Sequence, residues 1–230
     1  MAEVVLALDL PNRAEAMRLL DRLPEARWVK VGSILMTREG APFIRELIGR
    51  GHRVFLDLKW HDSPNTVAGS VTAARELGVS MATVHALGGR TMMEAAASAA
   101  GADMALVGVT VLTSHDAASY GRATGRREVS LVDEVVRQAG EAVSAGLAGV
   151  VCSPAEVAAV RRVLPAGGLL VVPGIRRETD ATGDQVRVAT AREAVRAGAT
   201  HLVVGRPVLH ATDPADALKH LLEEARCVTS

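Results

Sequence analysis

Phe55-Leu56-Asp57-Leu58-Lys59-Trp60-His61-Asp62-Ser63-Pro64-Asn65-Thr66 runs from an apolar, strand-like segment straight into a helix start, with three charges at the junction. From Arg53 to Leu58 a period of two puts Val54, Leu56 and Leu58 on one face, and Phe55, Asp57 and Lys59 on the other. Ser63-Pro64 reads as an N-cap followed by the first helical residue, so Asp62 lies just ahead of a positive helix end. An acid, an ammonium and a second acid are therefore expected at the carboxyl end of a strand. Asp and Lys two apart on a strand also occur as a solvated ion pair of little worth. In a parallel α/β sheet both faces are covered, however, and a charge survives there only when paired or functional. A lysine flanked by acids in a partly desolvated pocket suits a proton donor.

The same strand-then-helix grammar repeats on either side. Val4 to Leu8 ends in Asp9, and Asn12 with Glu15 has capping-box spacing for a helix from Arg13 to about Leu23. Trp28 to Val31, with Lys30 inside it, precedes a helix over about Ala41 to Ile48; the central strand is followed by a helix from Pro64 to Leu77. Ser80 to His85 pairs with Arg90 to Ala100. Met104 to Val111, ending in Thr113-Ser114, leads through a polar loop holding Tyr120 to a helix from Leu131 to Ala145. Ala148 to Cys152 precedes a second capping box, Ser153 to Glu156, opening a helix to Val163. Gly168 to Val172 with Ala191 to Ala197, and His201 to Val204 with a helix capped by Asp213-Pro214, complete the series. Gly51, Gly78, Gly101, Gly146 and Gly198 sit where helices should close. Eight strand and helix pairs in 230 residues predict a single-domain (β/α)8 TIM barrel spanning residues 1–230, with a doubly wound open sheet as the alternative.

In a barrel the site lies at the carboxyl ends of the strands, where Asp9, Asp57, Lys59, His85, Thr113, Arg176 and Arg206 collect. Lys30, inside an apolar strand, needs a buried acid, and Asp9 and Asp57 are the candidates. The last two strands end in Pro173-Gly174-Ile175-Arg176 and Gly205-Arg206-Pro207, the position at which many barrels hold a phosphate. The segment from Arg176 to Val188 is long for a βα connection and reads as a lid on which Gln185 can reach a ligand. His85 and His61 read as structural imidazoles, Ser153 as a cap, and Thr113 as a ligand donor or a strand-end turn.

Composition narrows the partner. Formal net charge is zero and no basic run occurs, which argues against nucleic acid or an anionic membrane and favours a small molecule. Apolar residues make up 49% but fall in short runs, and the chain opens on strand-like sequence without a leader, so a soluble cytoplasmic protein is expected. Cys152 and Cys227 support neither a disulfide framework nor a zinc site; Cys152 reads as a buried filler. His, Asp and Glu cluster at no metal spacing, and no metal or cofactor is expected.

The motif from Phe55 to Val67 resembles the signature of the orotidine 5'-phosphate decarboxylase family. The likeness continues through Ala7-Leu8-Asp9, Lys30-Val31-Gly32, Val84-His85-Ala86, Val109 to Ser114, Val172 to Arg176, Gly183-Asp184-Gln185 and Val204 to Pro207. It implies a barrel homodimer that decarboxylates orotidine monophosphate without metal or cofactor. By matching positions it implies Lys59 as proton donor to C6, Asp57 beside the departing carboxylate, Lys30 completing the charged network, and Asp62 supplied by the other subunit. Asp9 and, again from the partner, Thr66 resemble ribose contacts, Thr113 a pyrimidine contact, and Gln185 and Arg206 the phosphate grip, where Gly205 and Arg176 also lie. Trp60 and Ser63 replace the family's more usual Phe and Ile, and Arg177 a usual Pro. Sugar-phosphate decarboxylases and synthases of the same superfamily share Asp-x-Lys-x-x-Asp but use magnesium and carry a Glu near the end of the second strand, where this chain has Lys30-Val31-Gly32. A barrel that only binds a phosphorylated ligand is the non-enzymatic alternative.

Overall fold

The computed structural model describes residues 1–176 and 188–226. Eight parallel strands, β1 (Glu3–Ala7), β2 (Trp28–Gly32), β3 (Arg53–Trp60), β4 (Met81–His85), β5 (Ala105–Val109), β6 (Gly149–Val151), β7 (Leu169–Val172) and β8 (His201–Val204), pair in chain order. The barrel is closed by β1 on β8, with Val5 opposite Val203, which rules out the open sheet. Helices between the strands form the outer layer.

Alternation along the strands sorts the core into two parts. Leu6, Val29, Val31, Val54, Leu56, Ala82, Val84 and Leu170 belong to the large cluster under the helices, while Val5, Ala7, Trp28, Phe55, Met81, Val107, Val171 and Val203 form a separate plug inside the barrel. Two residues further along β2, β3 and β4 from Trp28, Phe55 and Met81, the same inward parity is held by Lys30, Asp57 and Thr83. The polar layer of the barrel therefore rests on an apolar floor.

Helix Arg90–Ala100 shows how the outer layer is seated: Met92, Met93, Ala96 and Ala100 fall at helical spacing and are buried, and Gly101 closes the helix at φ 61°. The other four predicted closing glycines also have positive φ. Several expectations are corrected. The second helix starts at Ser33 rather than Ala41, because a short helical segment runs into it across a kink at Gly40. Tyr120 lies not in a loop but on helix Ala117–Thr124, which Asp116 and Ser119 cap reciprocally. Ser63 precedes helix Pro64–Glu76 without capping it; its hydroxyl meets that of Thr66 at 2.9 Å. Ser153 likewise makes no backbone cap, since its buried hydroxyl donates to the Glu156 carboxylate. In both places a nearer side chain outcompetes the helix amide.

Candidate active site

The carboxyl ends of the strands open into a cavity of about 460 Å³. Its lining includes Asp9, Lys30, Asp57 and Lys59, then Thr113 with the apolar Val109, Val111 and Val151, and then Gly174, Arg176, Gly205 and Arg206. Asp57 is the hub. Its Oδ2 accepts from Lys59 Nζ at 2.9 Å and faces Lys30 Nζ at 3.5 Å, while Lys30 Nζ also donates to Asp9 Oδ1 at 3.1 Å. Its Oδ1 accepts from the Thr83 hydroxyl at 3.1 Å. Two acids and two ammoniums thus alternate along one wall, as Lys30's burial requires.

Burial taxes the charge on both inner members, yet their partners outweigh it. Burial alone would lower the Lys30 pKa, but Asp57 and Asp9 raise it above the ordinary value. Burial alone would raise the Asp57 pKa, but Lys30, Lys59 and the Thr83 hydrogen bond pull it below the ordinary value. The ammonium most open to the cavity is Lys59, with 39% of its side chain exposed against 11% for Lys30 and 13% for Asp57. Its backbone has φ 53°, the one positive φ outside glycine among the described residues, and the β3–β4 register shifts between Leu56 and Trp60. Simple alternation accordingly stops at Lys59, which breaks the strand rhythm to present its amine.

Across the barrel, β7 and β8 end in backbone suited to an anion. Gly174 has φ 81°, a conformation other residues reach only with strain, and Gly205 opens its backbone to the cavity beside Arg206. Arg176 is buried and donates from Nη1 to its neighbour Ile175 O at 2.8 Å.

Asp62 and Thr66 are exposed and stand outside the lining of their own chain's cavity, with Asp62 Oδ1 accepting from Ser63 N at 2.6 Å. The acid, ammonium, acid series read along the sequence thus does not close within one chain: Asp57 meets Lys59, whereas Asp62 does not line the cavity. His85 also lies outside the lining. It has an orienting partner that sequence reasoning did not supply, Leu87 N–H on Nδ1 at 3.3 Å, and it stacks on His61 at 5.6 Å. Burial first, then His61 and Lys59, lower its pKa to about 4, consistent with the neutral ring that accepting this bond demands. Cys152, expected as filler, is buried but borders the cavity. Gln185, the lid reading and Cys227 fall outside the described residues. Thr83 was missed: the signal was its shared parity with Met81, hidden in a strand that reads as apolar.

Comparison with known proteins agrees with this geometry. The model of the Orotidine 5'-phosphate decarboxylase / HUMPS family matches residues 2–221. An orotidine 5'-phosphate decarboxylase of Halorhodospira halophila is 50% identical over 228 residues, covering 96% of this chain and 94% of that protein. One from Coxiella burnetii is 46% identical over 223 residues, covering 94% of each. The crystal structure of the Lactobacillus acidophilus orotidine 5'-phosphate decarboxylase superposes with a TM-score of 0.88 at 34% identity, covering 99% of this chain and 100% of that one.

Proposed function

The chain belongs to the orotidine 5'-phosphate decarboxylase / HUMPS family, and from that premise we propose that it converts orotidine 5'-monophosphate to uridine 5'-monophosphate and carbon dioxide, with Lys59 as proton donor. The observation that carries the reading is the Lys59 ammonium, held 2.9 Å from the largely enclosed Asp57 carboxylate and facing a cavity whose far side suits a phosphate.

The bond between C6 and the carboxylate breaks, carbon dioxide leaves, and the electron pair stays on C6. That pair lies in the ring plane and cannot delocalise into the ring, so a fixed cation beside it stabilises the transition state more than the ground state. Lys59 then passes a proton from Nζ to C6 and is recharged from solvent. Asp57 sits beside the departing carboxylate; repulsion between the two is relieved as carbon dioxide forms. Lys30 neutralises the network behind it. Asp9 takes ribose hydroxyls, Thr113 the pyrimidine, and Arg176, Gly205 and Arg206, with Gln185, the phosphate. Binding at that remote phosphate holds the base against the charged wall.

The whole chain acts as one catalytic domain in a homodimer, where each cavity receives Asp62 and Thr66 from the partner; the exposure of both residues and their distance from their own cavity support this. A phosphorylated nucleoside substrate favours a cytoplasmic enzyme. The charge at C6 is supplied by Lys59, so no metal or cofactor is required. The magnesium-dependent sugar-phosphate reading is disfavoured by Lys30, which occupies β2 between Asp9 and Asp57.

A spectrophotometric assay with orotidine monophosphate in metal-free buffer containing EDTA tests the reading. Turnover should persist. Activity abolished by chelator and restored by magnesium would favour the sugar-phosphate enzyme, and absence of turnover under every condition would sink the proposal. Mixing Lys59→Ala with Asp62→Ala chains should restore about a quarter of wild-type sites at random pairing. Proven mixed dimers that stay inactive would count against sharing.

A further inference from the structure

Thr83 is fully buried on β4 and does not border the cavity, yet its hydroxyl carries two bonds, both to the charged wall. It donates to Asp57 Oδ1 at 3.1 Å and accepts from the backbone N–H of Lys59 at 2.8 Å. A hydroxyl has one proton, so the two bonds fix its rotor: the proton points at the carboxylate and a lone pair at the amide. The amide it accepts from belongs to the one non-glycine residue with positive φ among the described residues. Such a backbone persists only where its surroundings over-determine it. The bond to Oδ1 also leaves Oδ2 as the oxygen that meets both ammoniums.

We propose that Thr83 is a positioning residue, a single hydroxyl that aims the Lys59 amine and the Asp57 carboxylate together by holding the left-handed Lys59 backbone and one carboxylate oxygen at once. This role rests on the decarboxylase reading above. Two features separate it from ordinary strand packing. A valine would fill the same space inside the barrel, so packing alone does not call for a hydroxyl. One bond, moreover, ends on the carboxylate at the hub of the site, and the other on the main chain of the very residue whose amine faces the cavity. Thr110, equally buried, offers the contrast: its hydroxyl donates to the backbone carbonyl of Val151 at 2.8 Å, and among the described residues it bonds no charged group.

Thr83→Val keeps shape and removes both bonds. Because Thr83 lies off the cavity lining, substrate affinity should hold while the transition state suffers: kcat should fall about ten- to hundredfold, with KM and uridine monophosphate affinity within about threefold. Thr83→Ser, which restores the hydroxyl, should recover most of kcat. Should Thr83→Val fail to fold, Thr83→Ala read by the same split decides. A folded variant with kcat within twofold of wild type overturns the inference, as does a loss carried by KM or by product affinity, or a serine variant no better than valine. Wild-type protein that does not turn over orotidine monophosphate defeats the underlying function instead, so the two failures are distinguishable.

Discussion

Asp57 and Glu134 are both largely enclosed carboxylates with two cationic partners, and only Asp57 lines the cavity. Asp57 accepts from Lys59 and Thr83 at the mouth of the barrel. Glu134, on helix Leu131–Ser144, accepts from Arg126, Arg137, Tyr120 and Gln138 beneath helix Ala117–Thr124. Both acids are held below the ordinary carboxylate pKa, Glu134 chiefly by the hydrogen bond from Arg137 and Asp57 by lysines that outweigh its burial. The difference lies in where the cations end. Around Glu134 the arginine stems run outward, each about half exposed, and the carboxylate is sealed with 5% of its side chain exposed. Around Asp57 the most open cation faces the cavity instead. A depressed carboxylate pKa therefore marks a site only where a charged partner is left facing a space that a ligand can fill.

Three experiments press on that contrast. Lys59→Ala should lower turnover of orotidine monophosphate by about three orders of magnitude or more while uridine monophosphate still binds in titration. Retained turnover would put Asp57 and Glu134 in one class, as structural ion pairs. Glu134→Gln should do the reverse, leaving kcat in place and costing about 1–3 kcal/mol in a denaturant titration, because its arginines can turn to water but Tyr120 loses its anionic acceptor. The acid limb should follow: Glu134 has a depressed folded pKa, so its contribution is present above the usual 4.5 and is lost as pH falls through the lower folded value.

The smallest effect belongs to the barrel floor. His201 packs edge-on against Trp28 at 5.4 Å, pairs with the Thr200 hydroxyl at 3.0 Å, and lies near Arg53, whose guanidinium covers the Trp28 ring at 4.2 Å. Burial first, then Arg53, lower its pKa from the ordinary 6.5 to about 4. The fold prefers the neutral ring, so stability is whole above pH 6.5 and declines as pH falls toward 4. His201→Gln should flatten part of that decline, by about 2–4 °C in melting temperature for each kcal/mol involved. An unchanged slope between those pH values would mean that the floor does not titrate in this window.

Local pattern made much of this legible. Lys30 inside an apolar strand demanded an acid partner, and Asp9 and Asp57, the two candidates named from sequence, are the two it meets. That Gly174 and Arg206 line the cavity was readable because barrel topology gives the ends of the seventh and eighth strands a meaning that residue type alone lacks. Thr83 escaped because its partners are 24 and 26 positions away, joined to it only by strand register. Ser63 and Ser153 misled because capping signatures are spacing rules, blind to a competing carboxylate or hydroxyl nearby.

By itself, then, the order of residues determined the eightfold alternation, the inward parity of Asp57, and the need of Lys30 for acids, since these depend on period and on the cost of burying charge. Only the tertiary structure decided that β1 closes on β8, that Lys59 leaves the strand rhythm to face the cavity, and that Asp62 stays away from its own chain's lysine. Closure, register shifts and the aim of a side chain are set by packing among distant segments, and a one-dimensional period carries no term for them.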